Sequence, residues 1–138
     1  MPAMMQKGYC LLGQRALFRL EGADRLRYLN GQVSNAVSKA TDSSAIQACI
    51  LTAKGKLCAV VWIWTAPDAI LIESDPDLHD SLQARLERYI IADDVTLIDE
   101  SDRFHLVHVI DPDFTEGIAV LRFGVPGRDL LVPVEERD

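Results

Sequence analysis

The sequence predicts an α+β fold: a mostly antiparallel sheet with two helices, in the order β-α-β-β-β-α-β followed by further strands. Three observations carry this. Short apolar runs bounded by turn residues recur along the whole chain. Two segments, near residues 23–33 and 76–90, instead repeat their apolar residues at helical spacing. Most of the apolar runs follow one another through connections too short for a parallel crossover.

In order, Tyr9 to Leu20 reads as a strand or a bent strand pair, with Gly13 dividing it. Glu21-Gly22-Ala23-Asp24 opens a helix carried by Ala23, Leu26, Leu29 and Val33, which Gly31 weakens or ends. A polar loop, Lys39 to Ser44, leads to a strand from Ile46 to Leu51. Gly55 lies in a hairpin turn spanning Thr52 to Lys56. The return strand, Leu57 to Trp64, is apolar almost throughout, which predicts cover on both faces. Ala66-Pro67-Asp68 turns the chain into a third strand ending at Glu73. Asp75 is placed to cap the second helix, Pro76 fits its first turn, and Leu78, Leu82, Leu86, Tyr89 and Ile90 form its apolar stripe. Strands follow at Asp94 to Asp99, Phe104 to Ile110, Ile118 to Phe123 and Leu130 to Val134.

The 138 residues fit one domain, 1–138, with 49% hydrophobic residues to build a core. A net charge of −7, with acids concentrated in the second half and the tail, argues against a general nucleic-acid or anionic-membrane surface. No segment reaches the length of a membrane span, and the opening residues lack the apolar run of a secretion signal. The three cysteines, Cys10, Cys49 and Cys58, match no metal or redox spacing and read as reduced core thiols of a cytoplasmic protein.

Little in the sequence looks catalytic. His105 and His108 are three apart in a strand and so face opposite ways, and no cluster completes a metal site, so no metal is expected. Asp93-Asp94 reads as a solvated turn. Gly124 to Asp129 reads as a turn, because Pro126 removes an amide that a phosphate cradle would use. Lys54 and Lys56 flank Gly55 and can receive an anionic group such as a carboxylate, or simply solvate a hairpin tip. Trp62 and Trp64 share one face of their strand, either to stack on a flat heterocycle or, the favoured reading, as core or subunit interface.

Four segments in order resemble a known family. Gly22-Ala23-Asp24-Arg25-Leu26-Arg27-Tyr28-Leu29-Asn30-Gly31-Gln32-Val33-Ser34-Asn35 is similar to the G-x-D-x-x-x-F-L-x-x-Q-x-T-N stretch of the glycine-cleavage T-protein family and its YgfZ-like folate-binding relatives. Leu51 to Lys56 is similar to its L-T-x-x-G hairpin. Leu86 to Ile91, leading to Asp94-Val95, is similar to its L-x-R-Y-I…D-V helix end. Gly124 to Pro133 looks like a worn G-x-x-G-x-D-x-x-x-x-P strand entry.

The resemblance implies one half of a tetrahydrofolate-binding α+β fold, its N-terminal subdomain. The cofactor it implies is tetrahydrofolate, a folate-type small molecule. The contacts it implies are Gln32, Asn35, Lys54 and Lys56, with amides reading a pterin edge and lysines meeting a glutamyl tail. Either the chain is a fragment or truncated paralogue, or two copies pair as a homodimer that replaces the missing half, with the Trp62 and Trp64 face as part of it.

The family's aminomethyltransferases carry an aspartate shortly after the hairpin glycine. Ala59 or Val60 stands there, and neither can accept a proton or stabilise an iminium cation. The acid of the T-N-D ending is also missing, at Ala36. The expectation is therefore a non-catalytic folate-binding domain of YgfZ-like type, in iron–sulfur enzyme maintenance, tRNA modification or one-carbon metabolism. The alternatives are a dimerising interaction module that has lost the folate site and, disfavoured by the chemistry, an aminomethyltransferase.

Overall fold

The computed structural model describes residues 8–52 and 54–134. The opening residues 1–7, Ala53 of the hairpin and the acidic tail 135–138 lie outside it. Gly13 divides the first apolar run as expected, with a positive φ of 71°. The run becomes β1 (Gly8–Gly13) and β2 (Ala16–Glu21). They enter different sheets, so one apolar run seeds both layers of the molecule.

The larger sheet combines β2 with β3 (Ile46–Leu51), β4 (Leu57–Ala66), β5 (Ala69–Ser74) and β6 (Thr96–Asp99), in the order β3-β4-β5-β2-β6. The smaller sheet joins β1 to β7 (Phe104–Ile110), β8 (Ile118–Val120) and β9 (Gly127–Pro133), in the order β1-β7-β9-β8. Every pairing between these strands is antiparallel.

Side-chain alternation gives the larger sheet two working faces. Phe18, Leu20, Ile50, Val61, Ile63, Ile70 and Ile72 point to one face and pack with Leu29, Leu82 and Leu86 of the two helices. Leu17, Trp64 and Leu71 point to the other and pack with Phe104, Ile118 and Leu131 of the smaller sheet.

The first helix, α1 (Arg25–Asn30), is shorter than its apolar spacing suggests. It stops at Gly31 because the chain leaves to run along β3, where Val33 bridges Ile50 and Ser34 N donates to Cys49 O at 3.0 Å. Its start is pinned by Gly22, whose φ of 114° suits glycine alone and where a Cβ would lie 2.1 Å from Asp94 O. The second helix, α2 (His79–Arg88), follows a single 3-10 turn at Pro76–Leu78. Asp75 stands at the start of that turn but makes no side-chain cap. Its carboxylate instead accepts from Arg15 Nη2 at 2.7 Å.

Three further expectations change. β4 is not covered on both faces, since Leu57 and Val60 are exposed beyond the smaller sheet's reach. β8 ends at Val120, and the residues that follow form a turn before β9. The cysteines are not all core thiols: Cys10 is exposed and Cys49 half-buried, while Cys58, also half-buried, packs against the main core.

Candidate functional site

Gln47, Trp62, Glu73 and Leu17 stand in one row across β3, β4, β5 and β2, since Gln47 pairs with Trp62, Trp62 with Glu73, and Glu73 with Leu17. Residues opposite one another on antiparallel strands share a face, and here it is the face toward the smaller sheet. Leu17 is covered by that sheet, but Trp62 and Gln47 lie near its rim. The result is an open cleft of about 260 Å³. Its walls are Val60 and Trp62 from β4, Arg15 from the β1–β2 turn, Asp75, and Arg122 and Phe123 from the β8–β9 turn.

A chain of alternating charges runs beneath this cleft. Asp75 pairs with Arg15, and Arg15 Nε donates to Glu73 Oε2 at 2.8 Å. Arg122 donates to Glu73 Oε1 and, at 2.6 Å, to Asp129 Oδ2. His108 Nδ1 donates to Asp129 Oδ1 at 2.7 Å. Glu73, Asp129 and His108 are buried, and only 5% of the Arg122 side chain is exposed. Burial works against the Arg122 charge, but the bonds and fields of Asp129 and Glu73 outweigh it and raise its pKa further. The guanidinium also sits 5.4 Å from the Trp62 ring, holding that indole in place. A buried charge is tolerated only when paired in this way.

The cleft thus offers a flat aromatic face, an apolar wall and a solvent-facing carboxylate fixed in direction by an arginine. That combination suits a planar heterocycle with N–H donors along one edge. Val60, 37% exposed, forms the apolar wall, whereas Ala59 is 1% exposed and faces the helices. Of the two positions where the resemblance places the missing acid, only Val60 looks into the cleft. Among the described residues, no three His, Cys, Asp or Glu side chains converge as metal ligands.

The four residues singled out from sequence lie along the β3–β4 hairpin and not in the cleft itself. Gln32 Oε1 accepts from Arg85 Nη1 at 2.8 Å, and Arg85 Nε donates to Leu51 O, so Gln32 braces the hairpin to α2. Asn35 Nδ2 donates to Gln47 O at 3.0 Å and its Oδ1 accepts from Ala36 N, so it braces the β3 edge. Lys54 and Lys56 are exposed at the tip, where Thr52 N donates to Lys56 O at 2.7 Å and Gly55 takes a φ of 82°. Trp62 and Trp64 share a face as expected, and their roles divide: Trp64 is core, Trp62 lines the cleft.

Glu73, Arg122, Asp129 and His108 were missed by sequence reasoning. A signal existed: Arg122 and His108 are each a polar residue inside an otherwise apolar β-type run, and Glu73 closes one. A charged residue in such a run must find a partner when the strand is buried.

Comparison with known proteins bears on this architecture at two levels. No family model matches the chain. It is 30% identical over 88 residues, 64% of its length, to the tRNA-modifying protein YgfZ of Escherichia coli O157:H7 (strain EC4115 / EHEC), of which this covers 27%. The structure superposes on the glycine cleavage system aminomethyltransferase T from Bartonella henselae with a TM-score of 0.75 at 12% identity, covering 94% of this chain and 42% of that one. The chain thus spans about a quarter of the curated relative and less than half of the solved structure. No helix among the described residues is long and apolar enough to cross a membrane. The four motif segments anticipate both findings: the chain has the T-protein fold in part, and its sequence is similar to YgfZ.

Proposed function

We propose that this chain is a non-catalytic tetrahydrofolate-binding domain of YgfZ-like type, corresponding to the N-terminal subdomain of its longer relatives. The observation that carries the reading is the cleft at Trp62, Val60 and Asp75. A pterin ring stacks on Trp62 and turns its 2-amino edge toward the Asp75 carboxylate, which Arg15 orients. Trp62 to Leu57 is five residues along β4, about 17 Å, and Lys56 follows in the turn. An aminobenzoyl-glutamate tail lying over Val60 and Leu57 therefore ends near Lys54 and Lys56, which receive its carboxylates. Gln32 and Asn35 contribute along the β3 edge.

Val60 puts no acid where the resemblance places that of the aminomethyltransferases, and the Asp75 carboxylate is engaged by Arg15, which sets the domain apart from aminomethyl transfer. The likeness to a tRNA-modifying protein supports a place in tRNA modification or in the linked upkeep of iron–sulfur enzymes and one-carbon metabolism. Three free thiols suit a reducing compartment, and we place the protein in the cytoplasm.

Calorimetric titration with folinic acid tests this reading. Micromolar binding is expected, with quenching of tryptophan fluorescence. Lys54→Ala with Lys56→Ala should weaken it about tenfold, the loss of one to two exposed charge-assisted contacts. No binding at millimolar ligand refutes the reading. Binding that is indifferent to Trp62→Leu places the ligand elsewhere.

A further inference from the structure

We propose that β1 is the interface through which two copies of this chain pair, edge to edge and antiparallel, about a two-fold axis at Cys10. Strand edges carry rows of unpaired amide and carbonyl groups, and proteins guard them with charge, proline, bulges or a covering segment. The other edges among the described residues are guarded. Along β8, Ala45 N donates to Ala119 O and Ala119 N to Ser43 O. Along β3, Val33 and Ser34 cover part of the edge. β6 has only four residues and ends on Asp99.

β1 has six residues, Gly-Tyr-Cys-Leu-Leu-Gly, with no charge and no proline, in a chain of net charge −7. It hydrogen-bonds only to β7 among the described residues. Tyr9 is 73% and Leu11 72% exposed. Both stand on the outer face of the smaller sheet, opposite Val109 and Val107.

The occupant follows from the strand itself. An antiparallel edge is self-complementary, so a second copy meets each donor with an acceptor, and the two-fold closes the assembly at two. A second body of charge −7 is repelled over most of the surface, but not along a strand that carries no acid. The register follows too. Opposed residues must share a face, so Tyr9 faces an odd-numbered residue of the partner. The regular ladder to β7 holds Gly8, Tyr9, Cys10 and Leu11. The register that sets the two exposed apolar side chains against each other, Tyr9 against Leu11, puts the axis at Cys10 and so Cys10 against its own copy. Opposed Cα atoms are then about 4.5–5.5 Å apart, within disulfide range.

Light scattering over a concentration series, with and without diamide as oxidant, tests the proposal. A dimer with a roughly micromolar dissociation constant is expected, because edge pairing buries less than a standard interface. Diamide takes two electrons and two protons from the facing thiols, leaving a Cys10–Cys10 disulfide dimer that Cys10→Ser abolishes. Tyr9→Lys with Leu11→Lys, at positions already in water, should weaken association at least tenfold while circular dichroism stays unchanged. A monomer up to about millimolar protein overturns the proposal. So does a dimer that ignores both lysines, or one that never cross-links through Cys10.

Discussion

Arg122→Met removes the one cation shared by two buried carboxylates and keeps most of the side-chain volume. Pulling one partner from a buried ion pair costs about 3–5 kcal/mol, because the charge left behind has lost both water and its counter-ion. Here Glu73 still has Arg15 and Asp129 still has His108. The loss should therefore fall at the lower end, about 3 kcal/mol. At about 2.1 cal/mol/K per residue, a chain of 138 residues melts about 10 °C lower for that loss. With a urea slope near 2 kcal/mol/M, the midpoint falls by about 1.5 M.

Urea titration followed by tryptophan fluorescence reads this directly, since Trp62 lies against the guanidinium. Glu73→Gln completes a double-mutant cycle. The pair should cost at least about 1 kcal/mol less than the two single changes summed, because the neutral amide no longer needs Arg122. A loss under about 1 kcal/mol for Arg122→Met, or strict additivity in the cycle, would refute the buried-ladder account.

Two further perturbations test other parts of the reasoning. Val60→Asp places an acid in the open cleft and should cost under about 1 kcal/mol, whereas Ala59→Asp buries one against the helices and should cost several; equal losses in urea titrations would mean that the two faces of β4 are misassigned. His79 Nδ1 bonds Asp80 and Nε2 bonds Asp99, each at 2.7 Å; the Asp80 bond first, then Asp99, raise its pKa against the effect of burial. A raised histidine stabilises the fold fully below its unfolded pKa near 6.5, and that stability is lost as pH rises through the folded value. His79→Gln should therefore be destabilising at pH 5.5 and progressively less so toward alkaline pH, and a pH-independent difference in melting temperature would contradict it.

Strand and helix identity were largely legible because they rest on local periodicity. Ile46–Leu51 and Phe104–Ile110 form with the bounds read from sequence, and the apolar stripe of α2 packs where it points. Boundaries failed where a distant partner decided them. α1 ends early because its continuation pairs with β3. Asp75 leaves its helix because Arg15, sixty positions away, competes for the carboxylate.

The site divides in the same way. Val60, Trp62 and the hairpin lysines were visible as residues of the right type on one strand and its turn. The cleft was not, because Arg122 reaches Glu73 across forty-nine positions and His108 reaches Asp129 across twenty-one. Sequence alone determined the strand-rich α+β pattern and the resemblance to T-protein and YgfZ, under which Ala59 or Val60 stands where the family's aminomethyltransferases carry an acid. Only the tertiary structure decided that Val60 and not Ala59 faces the cleft, and that six charged or polar side chains assemble behind it. A charge buried in a strand is satisfied by whatever the fold brings opposite, and local sequence carries no record of that partner.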